Sequence, residues 1–525
     1  MSTFLGIPRA RTGAPSTRWD PEQIGRVVAR EDFPHAAPQH LADGQLRANL
    51  RHATHTIRDK RLRVVSELPD WEDLREAGSR IKAHAMRNLP ELLETFEANA
   101  TAAGATVHWA QDARQANEII RGIIRAEGVD EIIKVKSMAT QEIGLNEHLE
   151  EHGISAIETD LAELIVQLDH DLPSHILVPA IHKNRDQIRD IFLREMPSAP
   201  ETLTNSPAEL AAAARAHLRR KLLSARVAVS GANFALAESG TLGVVESEGN
   251  GRMCLTLPET LISVVGIEKV LPGVEDLHAI LQLLPRSSTG ERMNPYTSMW
   301  TGVTPGDGPQ NVHIVLLDNG RTRALADEHG RSALHCIRCS ACMNVCPVYE
   351  RTGGHAYGST YPGPIGAILS PLLTGRKVAE NDSLPFASTL CGACYDACPV
   401  KINIPDILVH LRGRSEEAKG LREHATQLDA GLAAASWLFA DGRRFGAAQK
   451  GIGLARAAAR ALPGAGGSIS ALPGVAGKWT SARDIPQPPR RTFRQDFAAG
   501  RSPYGRGGAQ APKDDAADAG QEETR

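Results

Sequence analysis

The sequence has few aromatic residues and no long apolar segment. Phe, Trp and Tyr make up 4% of its 525 residues, whereas apolar residues make up 42% and charged residues 23%. Such a composition is typical of a globular protein with a sizeable core and excludes disorder over the whole chain. No run of about 18 apolar residues is free of charged, Gly or Pro residues, and the first residues contain no apolar run of signal-peptide length. We therefore expect a cytoplasmic protein without a transmembrane segment.

The sequence also lacks a strong net charge and the common nucleotide-binding motifs. Its 59 Lys and Arg residues against 62 Asp and Glu residues give a net charge of −3, which leaves no general basic field for nucleic acid. It contains no G-x-G-x-x-G motif between a predicted strand and a helix, and no G-x-x-x-x-G-K-[ST] loop. We therefore expect neither a nucleic-acid partner nor an evident flavin, nicotinamide or nucleotide site.

The residue pattern divides the chain into five regions. Residues 1–69, rich in Arg, His and Pro, predict a partly ordered N-terminal arm. Residues 70–319 begin with amphipathic helices and continue with short β-branched runs that alternate with helical segments, which predicts an α/β domain with a mostly parallel sheet. Residues 320–412 contain most of the cysteines and predict a separate small domain. Residues 413–504 form an Ala/Gly-rich C-terminal extension, and residues 505–525 a polar tail that we expect to be disordered.

Seven of the eight cysteines lie between Cys336 and Cys398, and only Cys254 stands apart. In a long chain without an export signal, gaps of two and three residues between cysteines indicate metal chemistry rather than disulfides. We expect Cys254 to pack as a small hydrophobic residue.

The first cysteine run contains Cys336, Cys339, Cys342 and Cys346, followed by Pro347. This is the C-x2-C-x2-C-x3-C-P pattern of bacterial ferredoxins, in which three thiolates wrap one iron-sulfur cluster and the fourth reaches a second cluster. The pattern therefore predicts a second run elsewhere in the chain.

The second run contains Cys391, Cys394 and Cys398, followed by Pro399. It is one cysteine short, because Ser388 stands where its first cysteine is expected. Crossed ligation assigns to cluster one the thiols of Cys336, Cys339, Cys342 and Cys398. It assigns to cluster two the thiols of Cys346, Cys391 and Cys394. The fourth corner of cluster two could be held by the Ser388 oxygen, by water or by a partner, or the cluster could be 3Fe-4S instead of 4Fe-4S. Structural zinc is the disfavoured alternative, because it needs two cysteine pairs rather than seven cysteines with C-P endings.

Further motifs accompany the two runs. Between them lie the Gly-rich segments 353–358 and 361–366. Upstream of them lie the segments 134–138, 142–146, 158–161, 173–176, 179–183, 231–234 and 246–252. Together with the shortened second run, this ordered set resembles the lactate-utilisation iron-sulfur protein B family over roughly residues 70–412.

The resemblance implies a fold and a function. The fold is an α/β lactate-utilisation domain, similar to the CoA-transferase and sugar-phosphate-isomerase group, fused to a small, mainly α-helical, two-cluster ferredoxin-type domain. The family acts with A-like and C-like lactate-utilisation proteins in the oxidation of L-lactate to pyruvate, which allows growth on lactate. The family pattern also has only three cysteines in the second run.

Four residues of the α/β region are candidates for a ligand site. Glu246 and Glu248 lie beside glycines near a predicted strand end, where open sheets place ligands. Lys136 and His182 could hold an anionic substrate. The competing interpretation is that the acidic residues cap helices or close turns, with Asp160 capping the helix that begins at the next residue. No catalytic residue is assigned.

The two cysteine runs and the family resemblance favour an iron-sulfur electron-transfer subunit of a cytoplasmic L-lactate-oxidising complex, rather than a complete enzyme. A chain with two one-electron carriers and no hydride acceptor is expected to depend on partners and on an unidentified electron acceptor. Two alternatives remain at this point. One is a redox-sensing or scaffold protein whose α/β domain binds a small acid, and the other is an electron-transfer subunit for another 2-hydroxy acid such as glycolate.

Overall fold

The structure is a computed structural model in which the chain divides into two compact units, Met1–Ala418 and Lys419–Arg525. It describes residues 3–4, 7–8, 29–375, 378–423, 427–459, 462, 467–474, 477–480 and 484–500. The tail predicted over 505–525 lies outside the described residues.

A six-stranded parallel sheet organises the α/β region of the first unit. Its strand order is β3-β12-β9-β6-β4-β5, and every neighbouring pair is parallel. The strands are β3 (Thr106–Ala110), β4 (Glu131–Lys134), β5 (Ser155–Glu158), β6 (Val227–Gly231), β9 (Thr260–Gly266) and β12 (Asn311–Leu317). Strands β6 and β9 are buried along their whole length, as expected for a parallel sheet covered on both faces. The predicted α/β class with a mostly parallel sheet is confirmed.

Smaller strand pairs complete the β structure of the described residues. A mixed four-stranded sheet has the order β10-β7-β8-β11, and two short antiparallel pairs are β1-β2 and β13-β14. Their bounds are β1 (Thr3–Phe4), β2 (Ile7–Pro8), β7 (Phe234–Leu236), β8 (Thr241–Glu246), β10 (Val270–Leu271), β11 (Tyr296–Trp300), β13 (Ser468–Ile469) and β14 (Ile485–Pro486).

Four helices precede the parallel sheet. They are α1 (Phe33–Ala42), α2 (Gly44–Val65), α3 (Trp71–Arg87) and α4 (Leu89–Ala102). Helix α2 begins after Asp43, whose carboxylate accepts a hydrogen bond from the Leu46 backbone N–H. The same helix packs against the cysteine region and against the helix Val274–Ser288, so the region predicted as an N-terminal arm contributes helices to the first unit.

The helices that connect the strands cover both faces of the parallel sheet. They are α5 (Ala113–Ala126), α6 (Met138–Glu142), α7 (Leu145–Glu151), α8 (Leu161–Leu168), α9 (Arg185–Glu195), α10 (Pro207–Ser224), α11 (Asn250–Thr256) and α12 (Val274–Ser288), with a 3-10 turn at Ile267–Lys269. Helix α5 buries Ile120 and Ile124 on one face, and the Asp112 side chain caps its first turn. Such amphipathic helices fix where the polar loops after each strand emerge.

The described residues of the cysteine region form helices, turns and loops, with no strand among them. Its helices are α13 (Arg321–Ala326), α14 (Ala341–Asn344), α15 (Pro347–Thr352), α16 (Gly363–Thr374), α17 (Ala379–Asp382), α18 (Ala393–Ala397) and α19 (Ile404–Glu423). Short 3-10 turns lie at Arg331–His335, His355–Tyr357 and Leu384–Phe386. All residues of α16 are buried, and one apolar core joins this region to α3, α4 and α12. The predicted small, mainly helical second fold is confirmed.

The second unit contributes short helices: α20 (Gln427–Phe439), α21 (Gly442–Lys450), α22 (Ile452–Ala459), α23 (Gly477–Thr480) and α24 (Phe493–Ala498). Throughout the described residues, every helix is too short or too polar to cross a bilayer.

Candidate iron-sulfur centre and adjoining cavity

The fold brings the two cysteine runs together. The first run leads into α14 and ends at Cys346, the residue before α15, and the second run surrounds α18. Helices α14 and α18 pack against each other. Arg338 and Ser340 adopt left-handed backbone conformations with φ of 62° and 63°. These two residues let the chain turn sharply between the first three cysteines.

Four cysteines of the two runs line one small cavity. A small cavity, whose walls are otherwise mainly apolar, is lined by Cys336, Cys339, Cys342 and Cys398. These are the four residues that crossed ligation assigns to cluster one. Their apolar surroundings include Ile176 of the α/β region, so the two regions meet at this point.

The other three cysteines form a second group that reaches the surface. Burial raises the pKa of Cys394 to about 12, and the neighbouring Cys346 and Cys391 raise it too. Cys346 is buried, whereas Cys391 is exposed. The Ser388 hydroxyl accepts a hydrogen bond from the Leu390 backbone N–H at 3.1 Å, so it takes part in its own turn.

The chemistry of these groups fits iron-sulfur clusters. All seven thiols are free, and backbone N–H groups approach several of the sulfurs. The Arg338 N–H lies 3.4 Å from Cys336 Sγ, the Tyr349 N–H 3.5 Å from Cys346 Sγ, and the Ile402 N–H 3.3 Å from Cys398 Sγ. Such N–H···S contacts and apolar burial are among the means by which proteins stabilise and tune cluster thiolates. The ligation itself remains a prediction from the sequence.

Two buried arginines from the leading helices hold the second run in place. Arg75 of α3 donates to the carbonyl oxygens of Cys398 and Tyr395, each at 3.0 Å. Arg61 of α2 donates to the Ala397 carbonyl oxygen, also at 3.0 Å. Both cations lie beside the thiols that we assign to cluster one, where positive charge would offset a negatively charged cluster. Nothing in the sequence pattern singles out these arginines, because they lie more than 300 residues before their partners.

A second, larger cavity of about 330 Å³ adjoins the cysteine cavity. It lies at the carboxyl ends of the parallel strands, where Val135 follows β4 and where β6 and β9 end at Gly231 and Gly266. Open parallel sheets place ligands at this edge. Ile176 and Arg338 line both cavities, so a shared wall separates this space from the first group of thiols.

Three of the four predicted ligand-site residues line the larger cavity: Lys136, Glu246 and Glu248. The Glu246 carboxylate accepts hydrogen bonds from the Gly251 and Arg252 backbone N–H groups, each at 2.7 Å, and so caps α11. The Glu248 carboxylate accepts from the Leu161 N–H at 3.3 Å, and its pKa is raised by burial and by neighbouring Asp160.

Asp160 and His182 have other roles. Asp160 caps α8 by accepting from the Ala162 and Glu163 N–H groups, as the competing interpretation predicts. The His182 side chain is not among the residues that line the cavity. Its Nε2 lies 2.9 Å from Asp171 Oδ2, which also pairs with Lys183 Nζ at 2.6 Å.

Several residues of the cavity were not predicted from the sequence, notably Lys269 and Glu268, which forms ion pairs. Burial and neighbouring Arg338 lower the pKa of Lys269 to about 7. Burial alone would raise the pKa of Glu268, but Arg321 and Arg338 lower it to about 2. Glu268 and Lys269 lie in the 3-10 turn that follows β9, so the rule that ligands lie at the carboxyl ends of parallel strands could have found them.

Two family models match the two regions of this architecture. The LUD domain model matches residues 93–317, and the 4Fe-4S dicluster domain model matches residues 332–402. Lactate utilization protein B 1 of Bacillus mycoides is 41% identical, over 90% of this chain and 97% of its own. Lactate utilization protein B of Exiguobacterium sp. is 41% identical over 89% and 97%, and that of Bacillus subtilis 39% identical over 90% and 97%. A DUF162 family protein from Deinococcus radiodurans, known from a crystal structure, aligns with 44% of this chain and 98% of its own at 15% identity and a TM-score of 0.25.

Proposed function

The chain belongs to the lactate utilization protein B family, and on that premise we propose that it is the iron-sulfur electron-transfer subunit of a cytoplasmic complex that oxidises L-lactate to pyruvate. The observation that carries the proposal is the arrangement of the thiols. One group of four lines a small cavity beside the larger cavity, and one group of three reaches the surface at Cys391.

We assign cluster one to Cys336, Cys339, Cys342 and Cys398. We assign cluster two to Cys346, Cys391 and Cys394. When bound, each cluster supplies a site for one electron. Oxidation of L-lactate to pyruvate releases two electrons and two protons, so two clusters match the electrons of one turnover.

The surrounding residues support one direction of transfer. The four thiols of the first group lie beside the cavity, and burial and neighbouring Cys336 raise the pKa of Cys342, as does Cys394 of the second group. The two groups are therefore close, and the second ends at exposed Cys391. Electrons would enter at cluster one and leave at cluster two for an acceptor that is still unidentified.

The companions are A-like and C-like lactate-utilisation proteins. The decisive experiment is anaerobic copurification of this chain with both companions, followed by addition of L-lactate. We expect both clusters to be reduced, as seen by bleaching of the visible absorption, and pyruvate to form in proportion.

Glycolate and D-lactate serve as the substrate controls, and a complex that carries the Cys336→Ala chain serves as the cluster control. Reduction by glycolate but not by L-lactate would assign the complex to another 2-hydroxy acid. An absence of reduction by any of these acids, in a complex whose clusters dithionite reduces, would favour the redox-sensing or scaffold function.

A further inference from the structure

We propose that the larger cavity is the binding site for the carboxylate of a 2-hydroxy or 2-oxo monocarboxylic acid, held by Lys136, Lys269 and Arg338. The identity of the acid rests on the proposed function, whereas the binding of a small carboxylate does not. The site lies on this chain itself, against the wall of the first cysteine group.

The two lysines of the cavity are without partners. Within the described part of the chain, neither Lys136 nor Lys269 donates a hydrogen bond or forms an ion pair, although both line the cavity. Nearby buried lysines behave differently: Lys134 Nζ lies 2.7 Å from Glu158 Oε1, and Lys82 Nζ lies 2.5 Å from the Glu268 carbonyl oxygen. Neither ammonium group therefore has a hydrogen-bonded counter-ion, and a carboxylate that enters the cavity would supply one.

The carboxylates of the cavity are occupied by other groups. Glu268 pairs with Arg321 and Arg338, and Glu246 accepts two backbone N–H groups of α11. Asp160 caps α8, and Glu248 accepts a hydrogen bond from the Leu161 N–H. In the described part of the chain, none of these four carboxylates forms an ion pair with Lys136 or Lys269, and their charges oppose a second carboxylate in the same ligand. We expect a monocarboxylate to bind more tightly than a dicarboxylate.

Three residues that line the cavity each have one buried polar atom without a partner in the described part of the chain: Arg338 Nη1, Thr289 Oγ1 and Asn294 Oδ1. Buried polar groups in folded proteins nearly always have a hydrogen-bond partner, so three unpaired atoms in the wall of one cavity favour a polar ligand that reaches them. The arginine nitrogen donates only, the amide oxygen accepts only, and the hydroxyl does both. A 2-hydroxy acid carries the matching groups, a carboxylate that accepts and a hydroxyl that donates.

The position of the cavity gives it access to the clusters. Arg338 lies between Cys336 and Cys339 in the sequence, stacks over Tyr361 at 4.6 Å and lines both cavities. A ligand held by Arg338 is therefore adjacent to the first cysteine group. Cluster one, if held by these four cysteines, would be placed beside the acid and could accept its electrons.

Calorimetric titration of the anaerobically prepared, cluster-loaded full chain with pyruvate and with L-lactate tests the site. We expect Lys136→Gln and Lys269→Gln each to weaken pyruvate binding at least tenfold. Lys221→Gln is the matched control, because Lys221 pairs with Glu131 at 2.6 Å, at the opposite, amino end of β4. Unchanged iron content and visible spectrum in each variant would show that a loss of binding does not result from misfolding.

The inference is overturned if pyruvate and L-lactate fail to bind, or if Lys136→Gln and Lys269→Gln bind pyruvate as tightly as Lys221→Gln. Inorganic phosphate or malate binding as tightly as pyruvate would also overturn it, because the site would then be a general anion site. The proposed function fails separately: intact pyruvate binding without lactate-dependent cluster reduction in the complex would leave the site standing and remove the electron-transfer role.

Discussion

Arg321 and Glu142 form a buried bidentate ion pair, with Nη1–Oε1 and Nη2–Oε2 distances of 2.9 and 3.0 Å. Arg321 is 2% exposed and Glu142 is fully buried. Arg321 also pairs with Glu268, and the Tyr361 hydroxyl donates to Glu142 Oε2 at 2.5 Å. Glu142 ends α6, Glu268 lies in the turn after β9, Arg321 begins α13, and Tyr361 lies between the two cysteine runs. The network therefore joins the α/β region to the cysteine region at the wall of the larger cavity, which Glu268, Arg321 and Tyr361 line.

Removal of one charge from this network should destabilise the first unit. We expect Glu142→Gln to lower the free energy of unfolding by about 3 kcal/mol, because it leaves a buried arginine incompletely paired. Anaerobic guanidinium denaturation measures the change. Glu118→Gln, which breaks an exposed pair with Arg121, should leave the midpoint unchanged. Equal midpoints for the two variants would contradict the prediction.

Loss of one thiol should remove one cluster. Anaerobically prepared wild-type protein should contain roughly seven to eight iron atoms and as many acid-labile sulfides. We expect Cys336→Ala to lose about four of the iron atoms, because its thiol lies in the enclosed group of four. Cys254→Ala is the control, since Cys254 is buried away from both groups at 3.5 Å from Thr159 Oγ1. Full iron content in Cys336→Ala would refute the ligand assignment, and zinc without sulfide would refute the clusters.

Cluster two should be the labile cluster, because it has three thiols and one of them is exposed. Stepwise ferricyanide oxidation, followed by electron paramagnetic resonance, should convert it to a 3Fe-4S form while cluster one survives. The Ser388 hydroxyl accepts from Leu390 N–H, so Ser388→Ala should leave the rate of loss within twofold. Ser388→Cys should slow the loss, since thiolate is a softer iron ligand. Simultaneous decay of both clusters, unaffected by either substitution, would require a fourth ligand from elsewhere.

Glu163 should make stability depend on pH. Burial raises the pKa of this carboxyl to about 7 from an ordinary value of 4.5. Between these values the native state binds more protons than the unfolded state, so its stability falls as the pH rises. We expect the free energy of unfolding of Glu163→Gln, relative to that of wild type, to increase by about 1 kcal/mol between pH 6 and pH 8. Both proteins are denatured in parallel at each pH, so that effects of the clusters cancel. A difference in unfolding free energy that stays constant with pH would contradict the prediction.

His182 should act on stability rather than on ligand binding. Its imidazole joins Asp171 and Lys183 in a partly buried cluster. We expect His182→Ala to lower the free energy of unfolding by about 1 kcal/mol and to leave pyruvate affinity within twofold of wild type. Lys136→Gln should instead weaken pyruvate binding at least tenfold and leave the free energy of unfolding nearly unchanged. A tenfold loss of affinity in His182→Ala with unchanged stability would return this residue to the ligand site.

Some roles in the candidate site could be predicted from neighbouring residues in the sequence, and others could not. Lys136 was predictable because it follows a short β-branched run, and the parallel sheet does place it at a strand end that lines the cavity. Asp160 was predictable as a helix cap because its role involves only the next three residues. The position of His182 was not predictable from its neighbours, since it depends on how residues 169–184 fold back on themselves.

The sequence by itself determined the cofactor class, because cysteines two or three residues apart converge within one or two turns of chain. It also determined the class of fold, through the alternation of strand and helix periods. Only the tertiary structure decided the environment of the site. Arg61 and Arg75 meet the second cysteine run, and Lys269 and Arg338 meet at one cavity, across separations of tens to hundreds of residues. The pairing and burial of charges depend on such packing between distant segments, which the local spacing of residues does not predict.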